Sequence, residues 1–368
     1  MSHLLWLLVG VLGAGAAVQV VALVVLRLGR RMLSRHREER RTRLRRMLLT
    51  ALLGEGDEAR VAFAALRARR GRSWHEVENQ ALSLLPKIKG DARITLTALL
   101  LERGAVRRAG RGLRSRRMVA RAAAAHRLGS LAQPESTPHL LPLLRDKHFL
   151  VRRTAVRALG QLGDPAAVPA LLDAVVRDDS LTRDAMGTIQ RIGSAAVDPL
   201  RAELASVTGR GVSTGSTGRG GSTGRGVSTG STGRRAALAA TGLGLLTDVG
   251  SVPLLVRVLE RSRGRLRVAT AEALGLIGSP AAVAPLLTTL GEGDPAARTA
   301  AATALGRIGS AEAAGGLARA LDGADRDADR AVAAALLRLE GTGREVLATT
   351  GSPYAAEALA VHRVRQDA

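Results

Sequence analysis

Five arginines recur at matching places in the chain: Arg121, Arg152, Arg183, Arg267 and Arg298. Four of them stand eight residues before a glycine, at Gly129, Gly160, Gly275 and Gly306, and Arg183 holds the corresponding place in a copy that ends at Ile192-Gly193. A guanidinium is a permanent charge with a planar fork of donors. Repeated at fixed spacing, it can hold an anion or tie neighbouring turns of chain to acids and carbonyls. The regularity favours the second, a structural ladder. Other groups with catalytic chemistry do not assemble by spacing. Gly211-Val212-Ser213-Thr214-Gly215 matches the pattern G-x-S-x-G, and Gly226–Gly230 matches it again. That motif needs a buried strand before the serine and a helix after it. A Gly/Ser/Thr/Arg segment supplies neither, so both matches read as accidental. His75-Glu76 opens HEVEN, which lacks the second histidine of a zinc-protease helix. His3, His36 and His362 show no ligand spacing, and His126, His139 and His148 read as ordinary surface histidines. There is no phosphate-binding loop and no cysteine, which excludes thiolate chemistry and fits a reducing compartment. The expectation is a protein without catalytic residues, metal or cofactor.

The ladder must be carried by helices. In 151–178, Val151, Ala155, Leu159 and Leu162 recur at helical spacing, and Val168, Leu171, Leu172 and Val175 do so again. Gly163 can close the first helix in the left-handed conformation, and Asp164-Pro165 can start the second. Two such helices cannot bury their apolar faces alone, so copies must stack. Copies are present. Gly129 and Gly160 are 31 residues apart, as are Gly244, Gly275 and Gly306. ALGQLGDPAAV (158–168), ALGLIGSPAAV (273–283) and ALGRIGSAEAA (304–314) are near-duplicates. Two copies depart, with Ala236 and Asp329 at the arginine's place, although Arg235 and Arg330 are adjacent. Prolines recur early in the second helix, at Pro138, Pro169, Pro199, Pro253 and Pro285; Pro165 and Pro169 together are awkward, because only a first turn tolerates a missing N–H.

These motifs resemble the HEAT-repeat family, in the short bacterial form related to phycobilisome-lyase-like repeats, over about two-thirds of the chain. The resemblance implies an all-α solenoid of stacked helical hairpins, with the second helices lining a concave surface that holds a protein partner. It also names a group associated with bilin attachment. Only Trp6, Phe63, Trp74, Phe149 and Tyr354 are aromatic, too few to sandwich a tetrapyrrole, so a lyase-like enzyme stands as an alternative only.

Residues 4–26 carry no charge, and a helix over them would be roughly 35 Å long, enough for a ~30 Å hydrocarbon layer. The run is too long and its start too weakly basic for a cleaved signal peptide, so the expectation is a retained transmembrane anchor. Gly10/Ala14 and Gly13/Ala17 could pair two such helices, and Gln19 could hydrogen-bond between them. Arg27, Arg30, Arg31, Arg35, Arg37, Arg40, Arg41, Arg43, Arg45 and Arg46 follow at once. By the positive-inside rule the N-terminus would lie outside and the array in the cytoplasm, at the inner membrane. Residues 27–121 hold 26 Lys/Arg and 9 Asp/Glu, most of the chain's net charge of +23, and would attract anionic lipid headgroups at about 1 kcal/mol per cation. Helices are expected over 39–53, 57–69, 74–85 and 91–103, with Ser73 and Glu76 as a capping box. A nucleic-acid-binding HEAT-like protein is the other alternative, but this stretch offers only Phe63 and Trp74 as stacking platforms.

The expected organisation is thus a transmembrane anchor (1–31), basic juxtamembrane helices (32–115), repeats (116–207), a disordered Gly/Ser/Thr/Arg insertion (208–234) and further repeats (235–368). TGRGVSTGSTGRG (208–220) recurs almost intact 15 residues on, and such composition cannot bury a core. The expected function is a membrane-anchored, non-enzymatic scaffold that binds a membrane-associated protein, as an accessory subunit of a membrane enzyme or transporter.

Overall fold

Small apolar side chains at helical spacing dominate the chain, and every regular element of the computed structural model is helical among the residues it describes, which are 19, 27, 42–209, 230–321 and 325–366. These fall into two compact units divided at Arg108 and Ala109.

The first unit contains α1 (42–53), α2 (Gly56–Ala68), α3 (Gly71–Leu84) and α4 (Gly90–Glu102), and its boundary falls within α5 (Ala105–Leu113). Leu44 and Leu48 of α1 are buried, while Arg43, Arg45 and Arg46 are exposed. The expected capping box does not form. Gly71 takes a positive φ of 58° and starts α3 three residues early, so the Ser73 hydroxyl lies inside the first turn and donates to the Arg70 carbonyl (3.2 Å).

The second unit is a stack of hairpins. Its first helices are α6 (Met118–Leu131), α8 (Phe149–Leu162), α10 (Thr182–Ile192), α12 (Ser231–Leu245), α14 (Gly264–Ile277), α16 (Pro295–Ile308) and α18 (Arg326–Arg338). Between them run the second helices, α7 (Thr137–Leu140), α9 (Val168–Arg177), α11 (Val197–Gly209), α13 (Val252–Arg261), α15 (Val283–Glu292), α17 (Ala313–Arg319) and α19 (Glu340–Thr349), before α20 (Pro353–Gln366) closes the chain's described part. All eight apolar residues singled out in 151–178 are buried. Gly163, Gly278 and Gly309 end first helices at φ of 71–75°, where a Cβ would be strained. The awkward proline pair is resolved by a short 3-10 turn. Pro165 begins it, the Asp164 carboxylate accepts from the Ala166 N–H (2.9 Å), and α9 starts only at Val168, so Pro169 still lies in a first turn. In the preceding hairpin Pro142 interrupts the same region, and α7 gives way to a 3-10 segment over Leu141–Arg145.

The register glycines set the spacing of the first helices. A Cβ on Gly129 would lie 2.7 Å from the Ala158 Cα of the next first helix. On Gly244 it would meet Ala273, on Gly275 Ala304 and on Gly306 Ala335, each at 2.6–2.7 Å from the Cα. In α14 and α16 the near-duplicated A-L-G is therefore a two-sided contact: its alanine receives the glycine of the helix before, and its glycine receives an alanine of the helix after.

The expectation of a single-pass inner-membrane protein is corrected. Among the described residues no helix is long and apolar enough to cross a membrane. The longest one bounded within them, α12, has 15 residues, about 22 Å against a ~30 Å hydrocarbon layer. The stretch 4–26 lies outside the described residues except for Gln19, as do Arg30, Arg31, Arg35, Arg37, Arg40 and Arg41. The two G-x-S-x-G matches also fall outside them, apart from Gly230. The ends of the expected insertion are helical, since α11 reaches Gly209 and α12 starts at Ser231. Arg235 holds that start in place, donating to Glu203 of α11 (2.6 and 2.8 Å) and to Asp173 of α9.

Candidate functional site

Each ladder arginine sits in the first turn of a first helix or just beyond it, because the 31-residue period returns it there. Arg121 of α6 donates from Nε and Nη2 to both carboxylate oxygens of Asp146 (2.7 and 2.9 Å), and from Nη1 to the Ser115 and Arg116 carbonyls (2.8 and 3.1 Å). Arg152 of α8 makes the corresponding bonds, from Nη2 and Nε to the one Oδ2 of Asp178 (2.6 and 3.1 Å) and from Nη1 to the Asp146 and Lys147 carbonyls (2.8 and 3.2 Å). Each arginine so ties the loop before its own helix to the loop before the next one. The ladder changes in the later copies. The place of Asp178 is taken after Arg267 by Gly293, and Asp294 instead caps α16 by accepting from the Ala297 N–H (2.9 Å). The Nε of Arg267 is buried without a hydrogen-bond partner among the described residues. Arg298 keeps the same position in α16, and Arg183 is exposed on α10.

The acids of this ladder are held ionised. The hydrogen bond from Arg121 holds the Asp146 carboxyl below the usual carboxylate range. Asp178 is lowered by hydrogen bonds from Ser180 and Arg152. Burial pushes the Asp184 carboxyl up, but hydrogen bonds from Arg157 and Arg153 outweigh it and leave it lowered. A carboxyl whose folded pKa lies below its unfolded value, about 3.9 for Asp, contributes stability that is fully present above that value. It is lost as pH falls through the folded pKa. The melting temperature is therefore expected to fall on acidification below about pH 4. The triple variant D146N/D178N/D184N should melt lower at pH 7 and show a flatter acid limb. An acid limb of unchanged steepness in that variant would mean other carboxylates govern it.

The histidines do not form a shared site by position. His126 is exposed on α6, His139 is exposed on α7, and His148 is half-buried at the start of α8. Among the described residues no group of three or more His, Asp or Glu is placed to hold a metal ion. In the first unit His75 faces Glu78 at 3.4 Å, and Glu78 is buried and receives Arg108 at 3.0 Å. Trp74 is 4 % exposed and covered by the Arg103 guanidinium 4.4 Å from its ring centre, so its face is not presented to a nucleobase.

One feature of the second unit is not foreseen from the repeats, a cleft of 330 Å³ lined by Arg157 and Gln161 of α8 and by Arg183, Asp184, Gly187 and Arg191 of α10. The sequence does carry a signal for it. Arg191 stands 31 residues after Gly160, where the register requires glycine.

Stacked two-helix repeats joined through a glycine–alanine contact define an α-solenoid. A family model of HEAT repeats matches residues 109–189 and 252–338, and the chain carries a HEAT-repeat domain. No curated protein matches the sequence. Among solved structures, the CpcE–CpcF complex of phycocyanin lyase from Nostoc sp. PCC7120 is similar at 23% identity, covering 69% of this chain and 92% of that one, with a TM-score of 0.32. Human deoxyhypusine hydroxylase is similar at 19% identity, over 73% of this chain and 99% of that one, with a TM-score of 0.31. The karyopherin Kap121p, solved bound to the SUMO protease Ulp1p, is similar at 13% identity with a TM-score of 0.51, over 83% of this chain and 38% of the karyopherin. At these identities the likeness is one of fold.

Proposed function

We propose that this chain is a scaffold whose HEAT-repeat array binds a protein partner and which works without a catalytic step. The observation that carries the reading is the repeated hairpin itself. Each one buries its apolar face against its neighbours and leaves its outer face free, so a single stack offers an extended surface of the kind solenoids use for recognition. The karyopherin of similar fold was solved with a protein bound, which agrees with the reading. Nothing in this role requires a membrane.

Photo-cross-linking in cells tests the proposal. A benzophenone side chain at Arg257 or at Thr288, exposed on consecutive second helices, should capture one and the same protein. Leu53, 66% exposed in the first unit, serves as the comparison and should not capture it. Cross-links from Arg257 and Thr288 to nucleic acid alone, or to no macromolecule, would reject the scaffold reading.

A further inference from the structure

The close-packed layer of first helices opens at α10. In α8, α14 and α16 the first helix carries alanine and then glycine two residues on, as Ala158/Gly160, Ala273/Gly275 and Ala304/Gly306. In α10 those places hold Ile189 and Arg191. Gly160 of α8 consequently faces side chains instead of an alanine backbone. A Cβ there would lie 2.9 Å from both Arg191 Nε and Thr188 Oγ1. Thr188 is buried, donates to the Val156 carbonyl of α8 (3.0 Å) and accepts from Arg191 Nη2 (3.1 Å), so the guanidinium is braced at the mouth of the gap.

The resulting 330 Å³ cleft carries three guanidiniums against one carboxylate. That carboxylate is already engaged, because Asp184 accepts from Arg153 and from Arg157, each at 2.8 Å. Arg183 and Arg191 make no ion pair among the described residues. They lie eight residues apart on one face of α10, with Gly187 midway, and an added Cβ on Gly187 would meet nothing within 4 Å. The floor between the two cations is therefore open enough for a backbone to approach.

We propose that this cleft binds an acidic peptide segment, with Arg183 and Arg191 each receiving a carboxylate. The proposal rests on the protein-binding reading and names the chemistry of one contact within it. A guanidinium fork matches a carboxylate in two parallel hydrogen bonds. Eight residues of helix span about 12 Å, a distance an extended peptide covers in about three to four residues. The preferred segment thus carries two Asp or Glu separated by three other residues, which puts both on one face of the extended chain. The two cations rise from backbone positions about 12 Å apart, which suits two carboxylates spaced along a peptide better than one phosphate group.

Fluorescence anisotropy on the full chain tests this with a labelled peptide bearing two glutamates separated by three residues. The same peptide with glutamines and a short single-stranded oligonucleotide serve as the other probes. The glutamate peptide should bind saturably, and R183Q/R191Q should weaken it by about tenfold or more, the loss of one or two charge-assisted contacts. R263Q/R265Q removes the same charge from exposed positions at the start of α14 and should leave binding unchanged. R183E/R191E should lose the glutamate peptide and gain a lysine counterpart, a gain that misfolding cannot produce. Equal weakening by the two glutamine pairs would reduce the effect to the chain's general positive charge and overturn the site. Preference for the oligonucleotide, lost in R183Q/R191Q, would overturn it in favour of phosphate. If R183Q/R191Q still cross-links the partner undiminished while failing to hold the peptide, the scaffold reading survives and the cleft is not its contact.

Discussion

Replacing Gly275 by alanine is expected to lower the melting temperature by about 2–10 °C, against the ordinary helix preference for alanine. In an exposed helix interior the exchange gains up to ~1 kcal/mol. Here the new Cβ would lie 2.6 Å from the Ala304 Cα and 2.7 Å from its Cβ. Those atoms are backbone and its first carbon, so no rotamer change relieves the contact, and α14 and α16 must move apart. Overpacking of this kind costs about 1–3 kcal/mol. The control lies in the same layer. Gly187 is mid-helix in α10 with open space around it, so Gly187→Ala should raise the melting temperature by about 2–4 °C. Opposite signs for one substitution at two helical glycines cannot come from propensity. A stable Gly275→Ala chain would show that the first helices are not in contact there.

Arg235→Gln is expected to separate the two blocks of repeats. Arg235 ties α12 to α11 through Glu203 and to α9 through Asp173, beside Arg234, which donates to the Val176 carbonyl of α9. Its guanidinium is held charged chiefly by the Glu203 hydrogen bond, against the opposing effect of burial. Glutamine leaves two acids facing each other without their cation. Charge-assisted hydrogen bonds contribute about 1.5–3 kcal/mol, and partial exposure of the group reduces this to about 1–2 kcal/mol. The larger effect is on cooperativity. In a solenoid each repeat is held by its neighbours alone, so weakening this junction should split one thermal transition into two. Arg235→Lys should restore only part of the coupling, because an ammonium cannot serve Glu203 in two parallel bonds. One unsplit transition at an unchanged temperature would place the junction's strength elsewhere.

Periodicity alone makes the stack legible in the amino-acid sequence. The 31-residue return of A-L-G and of the arginine reflects real contacts, glycine on alanine and arginine on the loops before two helices. The acceptors are less legible, because Asp146 and Asp178 lie 25 and 26 residues after their arginines and give way to Gly293 in the second block. The start of α3 is misplaced by sequence because Ser73 and Glu76 match a capping box, whereas the helix begins at Gly71 with its positive φ. The cleft is hidden because Ile189 and Arg191 look like decay of the pattern, and only packing shows that a lost glycine opens space. The uncharged run at 4–26 invites a membrane reading, but it lies outside the described residues apart from Gln19, and no helix among those residues is long and apolar enough to cross a membrane.

The central claim is that the repeat array binds a protein. Hydrogen exchange read by mass spectrometry, on the full chain alone and saturated with the protein that cross-linking identifies, tests it most directly. Exchange should slow in segments between residues 109 and 338, with α10 among them. Slowing confined to residues 42–108, or no slowing at saturation, would contradict it.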